Sequence, residues 1–406
     1  MTSKPSPLSA TVELDRNAPR LNEHGWVRQL DLSSEEAADI QRTRKVDVVP
    51  SVDFPGKWDL HAHQFVGLIR VGARTIWIET KVPISNVLYL LSYAKDIAGW
   101  SSEPADFAKE HYLVGAIAQG FLQHTSAAIR PSLLQGYVTV EESYQGIKGR
   151  MRTAAQVSRR FALPLPVEIT FDEFTTDIFE NRVLKAAAAR LLLVAGLPKS
   201  VTARLRELLL LFRDVGELSG RKAESIVYNR LNLRYRNAIR LATLILDGAS
   251  ITYRRGSVSA VAFLLDMNRA FEDFVTEVAR RTSLGSLLSF RPQHSRWLDT
   301  ENRMDFRPDL SWWIGERCVA VADVKYKSTS AEKVPAGDIY QMLAYCLVHQ
   351  LPMGYLIYAQ GEADAWAYEI RQSGITVAVR TLDLSGNGPQ VRLRCESLIQ
   401  KLMVAA

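Results

Sequence analysis

The amino-acid sequence predicts an α/β protein in three parts, and three features of its hydrophobic patterning indicate this fold class. Residues 253–406 read as helix, strand, strand, helix, strand, the order of a mixed central sheet flanked by helices. Residues 1–155 mix strand-like and helix-like runs, which predicts an α+β region. Between them, residues 156–252 carry alanine and leucine at helical spacing, which predicts a helical middle segment.

The N-terminal region divides into an irregular start and a hairpin followed by helices. Residues 1–60 are expected to be irregular, because prolines interrupt any long element. Residues 63–82, HQFVGLIRVGARTIWIETKV, predict a β-hairpin with Gly72 in its turn. Apolar residues at helical spacing then predict two helices, within residues 83–100 and 107–129.

The positive charge of the chain is concentrated in its middle. The net charge is +6 and the isoelectric point about 9.1. Residues 141–240 hold 18 Lys and Arg against 11 Asp and Glu, so this stretch carries essentially all of the excess. Such a surplus could screen a phosphate backbone, or could be an ordinary solvated helical surface. Our candidate DNA contacts are Lys148, Arg150, Arg152 and, further along, Lys327.

Composition also indicates the compartment. No stretch of about 18 consecutive apolar residues is present, which argues against a transmembrane helix, and the start lacks a hydrophobic signal core. The three cysteines are widely spaced in hydrophobic company, which predicts buried thiols in a reducing compartment. His61 and His63 are expected only to border a strand. We therefore expect a cytoplasmic protein without disulfides or a zinc motif.

The C-terminal part contains a hairpin with charged residues inside apolar strands. An amphipathic helix over residues 264–282 precedes two strands, RMDFRPDLSWWI (303–314) and CVAVADVKYK (318–327). The helix AGDIYQMLAYCLVH (336–349) and the strand MGYLIYAQ (353–360) follow. Unpaired charge is costly inside a buried strand, so the acids and the lysine of this hairpin need an explanation.

The register of the hairpin decides whether these charges meet. A three-residue turn at 315–317 would place Asp309 opposite Asp323, with Cβ atoms about 4.5–5.5 Å apart. The two-residue period of a strand then puts Lys325 on the same face. A two-residue turn would break this register unless a bulge or bend near Pro308 compensated.

Two neighbouring carboxylates and a lysine match the needs of phosphodiester hydrolysis. A divalent cation, Mg²⁺, would relieve the repulsion between the carboxylates, since it takes oxygen ligands and usually retains water. Lys325 could orient the attacking water or stabilise charge on the phosphate. The alternative is a structural Asp–Lys salt bridge at a strand end.

Three further residues are candidates for the same site. Gln341 and Tyr345 are four apart and share a helical face. Gln341 could instead form a capping box with Asp338, and Tyr345 could be core. Glu272, on the preceding helix, could be a third metal carboxylate or a solvated acid.

These motifs resemble a known nuclease signature. Pro308-Asp309 with Asp323-Val324-Lys325 resembles the PD-(D/E)xK nuclease motif, and Gln341-x-x-x-Tyr345 resembles an extension found in several of its branches. Together with upstream segments such as GIKGRMR and LDMNRAFEDFV, the chain resembles the McrC family over roughly residues 55–360. The segment IETKVP departs from the family form, with Thr80 where proline is usual.

The resemblance implies a Mg²⁺-dependent DNA endonuclease subunit of a modification-dependent, 5-methylcytosine restriction system. It implies a partner, a McrB-like hexameric AAA+ GTPase that recognises double-stranded DNA with modified cytosine and whose hydrolysis this chain stimulates. The sequence has no G-x-x-x-x-G-K-[ST] phosphate loop of its own. The alternatives are an autonomous repair or recombination nuclease and a non-catalytic DNA-binding or NTPase-activating scaffold.

Overall fold

The structure is a computed structural model that describes most of the chain in two compact units. Among the described residues, one unit lies within Ile117–Ala249, and the other comprises residues from 19 to Ala116 together with those from Ser250 to 405. The division thus differs from the three consecutive segments with boundaries after residues 155 and 252. Residue 155 lies inside the unit Ile117–Ala249, and residue 252 lies just beyond its end. The described residues are 19–72, 74–97, 113–146, 148–161, 163–194, 196–219, 226–254, 257–329, 334–361 and 365–405.

The first part of the chain contains the predicted hairpin but is more regular than expected. The expectation of an irregular start is wrong for residues 19–60, because short strands there pair with distant partners, such as Arg20 with Trp77. The elements are β1 (Arg20–Asn22), β2 (Trp26–Leu30), α1 (Ser34–Gln41), β3 (Asp47–Pro50), β4 (Trp58–His61), β5 (Phe65–Val71), β6 (Arg74–Glu79), α2 (Ile84–Ala94) and α3 (Leu113–Ile129).

The middle unit contains helices, as predicted, but also a sheet. Strand β9 lies within the stretch expected to be helical and pairs antiparallel with β7 along its whole length, in the order β7-β9-β8. The elements are β7 (Gly136–Tyr144), β8 (Arg150–Met151), α4 (Thr153–Arg160), β9 (Val167–Thr175), α5 (Phe179–Leu193), α6 (Lys199–Leu211), a 3₁₀ helix (Leu233–Tyr235) and α7 (Arg236–Gly248).

The last part of the chain builds the predicted mixed sheet. Its order is β12-β15-β16-β17-β19-β18, with β16, β17 and β19 parallel and the other pairs antiparallel. The elements are β10 (Ala249–Arg254), β11 (Ser257–Asp266), α8 (Met267–Thr282), β12 (Ser289–Phe290), β13 (Arg296–Trp297), β14 (Asp305–Phe306), β15 (Leu310–Ile314), β16 (Arg317–Thr329), α9 (Ala336–His349), β17 (Met353–Gly361), β18 (Ala365–Ile370), β19 (Ile375–Thr381) and α10 (Gly388–Val404).

One strand pairing explains why the second unit is discontinuous in sequence. Strand β11 pairs antiparallel with β5, with Ala262 opposite Ile69, in a five-stranded sheet of order β1-β6-β5-β11-β10. The N-terminal hairpin therefore completes its sheet with strands that follow the middle unit. Hydrophobic periodicity reports local structure only, so the sequence could not reveal this pairing.

The turn of the charged hairpin differs from the prediction. Ile314 pairs with Arg317, so the turn has two residues, Gly315 and Glu316, and not three. Gly315 takes a left-handed φ of 58°, which glycine adopts without the steric cost that a Cβ would bring. The three-residue turn was therefore wrong, because glycine at the first central position suits a tight two-residue hairpin turn.

A β-bulge then restores the expected register. Trp313 pairs with Cys318 but Trp312 pairs with Ala320, which leaves Val319 as the extra residue on β16. The ladder continues to Leu310 opposite Ala322, so Asp309 and Asp323 follow at its end. The bulge compensates for the shorter turn, although it lies in β16 and not near Pro308.

Helix α9 packs directly on β17 at a glycine. A Cβ added at Gly354 would lie 2.4 Å from Met342 Sδ and 2.6 Å from Cys346 Sγ. Both residues are fully buried in the core between α9 and the sheet. The absence of a side chain at Gly354 thus sets how closely α9 approaches the strand next to β16.

Gly354→Ala should therefore disturb both stability and the site that α9 supports. We expect a loss of about 1–3 kcal/mol in unfolding free energy from overpacking, with reduced activity because α9 is displaced. Chemical denaturation measures the first effect. Gly337→Ala is the matched control: it lies on α9, a Cβ there meets nothing within 4 Å, and it should not destabilise. Equal stability of the two variants would contradict this account.

Two expectations from composition can be compared with the structure. Cys318, Cys346 and Cys395 are free and buried, as predicted. Within the described ranges, no helix has the length and apolar character needed to cross a membrane.

Candidate active site

The site lies where the β15–β16 ladder ends. Asp309 precedes β15, and its Oδ2 accepts a hydrogen bond from the Val324 backbone N–H at 2.8 Å. Asp323 lies within β16 with only 2% of its surface exposed. The backbone contact fixes the Asp309 carboxylate beside the strand that carries Asp323, as the register predicted.

A glutamine that the sequence did not single out holds two of the carboxylates. Gln293 donates from Nε2 to Asp309 Oδ1 and to Glu272 Oε1, each at 2.7 Å. Its backbone N–H donates to the Asp309 carbonyl at 3.1 Å, and its φ is 49°. Glu272, on α8, is thus half-buried and bonded within the site, and is not a solvated acid.

Lys325 lies on the same face as Asp323, two residues along β16. Its Nζ is 2.5 Å from Asp323 Oδ2 and donates to Gln341 Oε1 at 3.3 Å. The Asp–Lys contact expected of a structural salt bridge therefore exists. It is located in the interior of a thirteen-residue strand and not at a strand end.

Helix α9 supplies a short hydrogen-bond chain that orients the lysine. Gln341 Nε2 donates to Tyr345 Oη at 2.6 Å, and Tyr345 Oη donates to the Arg307 carbonyl at 3.1 Å. These bonds fix the Gln341 amide with its oxygen toward Lys325. They also connect α9 to the residue two before Asp309.

The capping-box alternative for Gln341 is wrong. Helix α9 begins after Pro335, which makes no side-chain cap hydrogen bond. Asp338 instead accepts from Tyr358 Oη and forms an ion pair with Lys327 at 2.7 Å. Tyr345 is buried in the core, as the alternative expected, and its hydroxyl is also hydrogen-bonded, so its role in the site stays a prediction.

Burial and mutual repulsion disfavour negative charge in the cluster. Burial raises the pKa of Asp323 to about 7, and Asp309 adds to the rise. Burial, then Glu272, raises the pKa of Asp309 to about 6. Burial also raises the pKa of Glu272. Burial alone would lower the pKa of Lys325, but Asp323 and Asp309 outweigh it and the lysine pKa is raised.

The donor set is that of a hard divalent cation. The three carboxylates offer oxygen ligands only. They repel one another, and the positive charge of Lys325 offsets only part of this repulsion. In the described part of the chain their oxygens do not all lie within 4.8 Å of each other. Mg²⁺ is usually held by one or two carboxylates and completed by water, so two of the three carboxylates would be enough to hold it.

The basic candidates are dispersed, and most have partners within the chain. Lys148 Nζ lies 3.4 Å from the centre of the Phe171 ring, and Arg152 forms an ion pair with Glu141 at 2.8 Å. Arg150, in β8, is exposed. These three belong to the Ile117–Ala249 unit, whereas Lys327 follows Lys325 on β16.

Fold and site together define an α/β protein with a mixed sheet and a partly buried acid–lysine cluster at the end of a β-hairpin. A family model described as McrBC 5-methylcytosine restriction system component matches residues 60–359. The chain belongs to this family, which confirms the identification made from its motifs.

A solved structure shows a similar fold. The chain is similar to a chain of the refined half-complex from the tetradecameric assembly of Thermococcus gammatolerans McrB AAA+ hexamers with bound McrC. The TM-score is 0.62 at 17% identity, over 95% of this chain and 99% of the other. The cryo-EM structure of the Thermococcus gammatolerans McrBC complex gives 0.40 at 19% identity, over 65% and 88%. None of the curated proteins matches.

Proposed function

We propose that this chain is the Mg²⁺-dependent DNA endonuclease subunit of a modification-dependent restriction complex. It would cleave phosphodiester bonds when activated by a GTP-driven, McrB-like AAA+ hexamer, whose hydrolysis it stimulates and which recognises DNA with modified cytosine. The observation that carries the proposal is the convergence of Glu272, Asp309, Asp323 and Lys325 in one partly buried cluster. Membership of the McrBC family and the likeness to a complex of McrB with bound McrC support the partner.

Asp309 and Asp323 would hold the cation, with Glu272 near it through Gln293. When bound, Mg²⁺ supplies Lewis-acid polarisation of the phosphoryl oxygens and offsets negative charge. Gln293 keeps Asp309 and Glu272 together because its side-chain amide donates one hydrogen bond to each carboxylate. The chain's own contribution is thus a set of carboxylates fixed before substrate arrives, which reduces reorganisation during the reaction.

Lys325 would act on the substrate directly. The adjacent carboxylates keep it protonated, so Nζ presents a positive charge to a phosphate bound at the cluster. A charge fixed where negative charge develops in the transition state lowers the barrier. Gln341 is a positioning residue, because it orients Nζ while Tyr345 fixes its amide.

The deciding experiment combines the purified chain with its AAA+ partner, GTP and DNA containing 5-methylcytosine. We expect cleavage with Mg²⁺, and none after EDTA or without partner or GTP. Cleavage by the chain alone would establish the autonomous nuclease. Unimpaired GTPase stimulation with no cleavage under any metal would establish the scaffold. Each of these outcomes contradicts the proposal.

The basic residues around β8 are proposed as an electrostatic contact to DNA or partner. Neutralising Lys148, Arg150 and Arg152 to alanine should weaken association and reduce its salt dependence, by a slope of about 0.9 per lost phosphate contact. The affinity is measured at several salt concentrations between about 50 and 200 mM, a range over which binding through phosphate contacts weakens steeply. The control removes the same charge from exposed positions on α6: Lys199, Arg204 and Arg206. Equal effects of the two triple variants would contradict the contact and would mean that the β8 residues are ordinary solvated surface.

A further inference from the structure

A second cluster of ligand-type side chains lies in the N-terminal sheet of order β2-β4-β3, separate in sequence from the hairpin acids. Strand β4 is central, and its last residue His61 is opposite both Trp26 of β2 and Asp47 of β3. His63 follows two residues later. One ligand atom from each of Asp47, His61 and His63 lies within 4.8 Å of the other two.

We propose that Asp47, His61 and His63 form a binding site for a first-row transition-metal ion of the zinc type. Two imidazoles with one carboxylate suit such ions, whereas Mg²⁺ prefers oxygen ligands alone. Bonds of about 2.0–2.2 Å in tetrahedral geometry bring ligand atoms to roughly 3.4 Å of one another. One ligand atom of each side chain already lies within 4.8 Å of the other two, so rotation of the side chains can close the remaining distance.

The side chains are accessible but held in place. His63 Nε2 lies 2.7 Å from Asp47 Oδ2, and these side chains are 38% and 54% exposed. The rings of His61 and His63 meet edge to face with centroids 4.2 Å apart. On its other side the His61 ring stacks on Trp26, with centroids 4.6 Å apart and planes 15° from parallel. An ion can therefore reach donors that are already oriented.

The surrounding backbone supports a ligand role. His24 donates its N–H to the His63 carbonyl at 2.5 Å, and Ala62 donates to the Gly25 carbonyl at 3.1 Å, which pins both sides of the cluster. The His24 backbone also hydrogen-bonds to the His61 ring. A second bond of this kind, from the other ring nitrogen to backbone, is usual for metal-binding histidines.

The site would connect the start of β3 with the end of β4 and the loop that follows it. Asp47 begins β3, His61 ends β4, and His63 lies in the loop that leads into β5. An ion bound there would tie these segments together, and it would stabilise the folded chain in proportion to its free concentration. The expected consequence is a metal-dependent rise in the unfolding temperature of the full chain.

Cobalt binding tests the proposal directly. The metal-free full chain is titrated with Co²⁺ in an Asp309→Asn, Asp323→Asn background, which removes the hairpin carboxylates as competing ligands. We expect one equivalent with visible d–d absorption, displaced by Zn²⁺ and unaffected by excess Mg²⁺. Absence of this absorption would overturn the proposal. The cluster would then be only the hydrogen-bonded pair of Asp47 and His63 with the ring of His61 packed against it.

Single variants assign the ligands. His61→Gln, His63→Gln and Asp47→Asn should each weaken Co²⁺ binding by at least about 10–100-fold. Asp47 is exposed, so loss of binding in that variant cannot be ascribed to a disrupted core. His124→Gln removes a histidine of the other unit and should bind normally. Undiminished binding in all three ligand variants would also refute the site.

Discussion

Asp323→Asn is expected to lower the rate of DNA cleavage by about 10³-fold, while the chain still folds and still stimulates the proposed GTPase partner. The substitution preserves shape but removes the charge that pairs with Lys325 Nζ and that, in the proposed mechanism, would bind the cation. Asp323 is buried within β16, so no other described carboxylate can take its position without moving the strand. Single-turnover cleavage of DNA containing 5-methylcytosine measures the loss.

Asp309→Asn should act in the same direction, and the double variant should be little worse than either single one. Residues that act as one unit give strongly non-additive losses, because removing one partner already disables the other. Additive losses would mean that the two carboxylates act independently, which contradicts a shared cation.

The matched control is Asp305→Asn. Asp305 lies in β14, four residues before Asp309, but it is exposed and its closest cation is Arg307 at 3.8 Å. Its replacement should change cleavage by no more than about twofold, since an exposed pair of this kind contributes little. A loss comparable to that of Asp323→Asn would place the active carboxylates elsewhere.

The sequence located the hairpin acids and the lysine because local patterns determine strand and helix. The predicted register of Asp309 and Asp323 is correct although the predicted turn is wrong. The turn at Gly315 is one residue shorter than expected, and the bulge at Val319 adds the residue back. Gln293 was missed because a loop residue with no periodic neighbours gives no signal until its partners are known. Pairing between distant segments, such as β11 with β5, is equally invisible to periodicity.

The same limit concealed the histidine–aspartate cluster. His61 and His63 were expected only to border a strand, and they do flank the end of β4. Asp47 joins them only because β3 pairs with β4 in a region that the prolines suggested was irregular. Ligand sets assembled across strands cannot be found from spacing along one segment.

Lys325→Met should reduce the cleavage rate by about 10²–10³-fold with little change in DNA affinity. Methionine fills much of the space of the lysine stem but removes the ammonium group that Asp323 and Gln341 orient. Because that charge is fixed beside the acids, its effect should fall on kcat and not on KM. Lys325→Arg should not restore the rate, since a planar guanidinium cannot occupy the position of a compact ammonium.

Lys327→Met gives the control that separates catalysis from attraction of DNA. Lys327 lies two residues further along β16, but its Nζ pairs with Asp338 at 2.7 Å and not with the acids of the site. Its loss should weaken DNA association in a salt-dependent way and leave kcat nearly unchanged. If both lysine variants lowered only affinity, Lys325 would be an electrostatic contact. The proposed role in stabilising the transition state would then fail, even with both carboxylates essential.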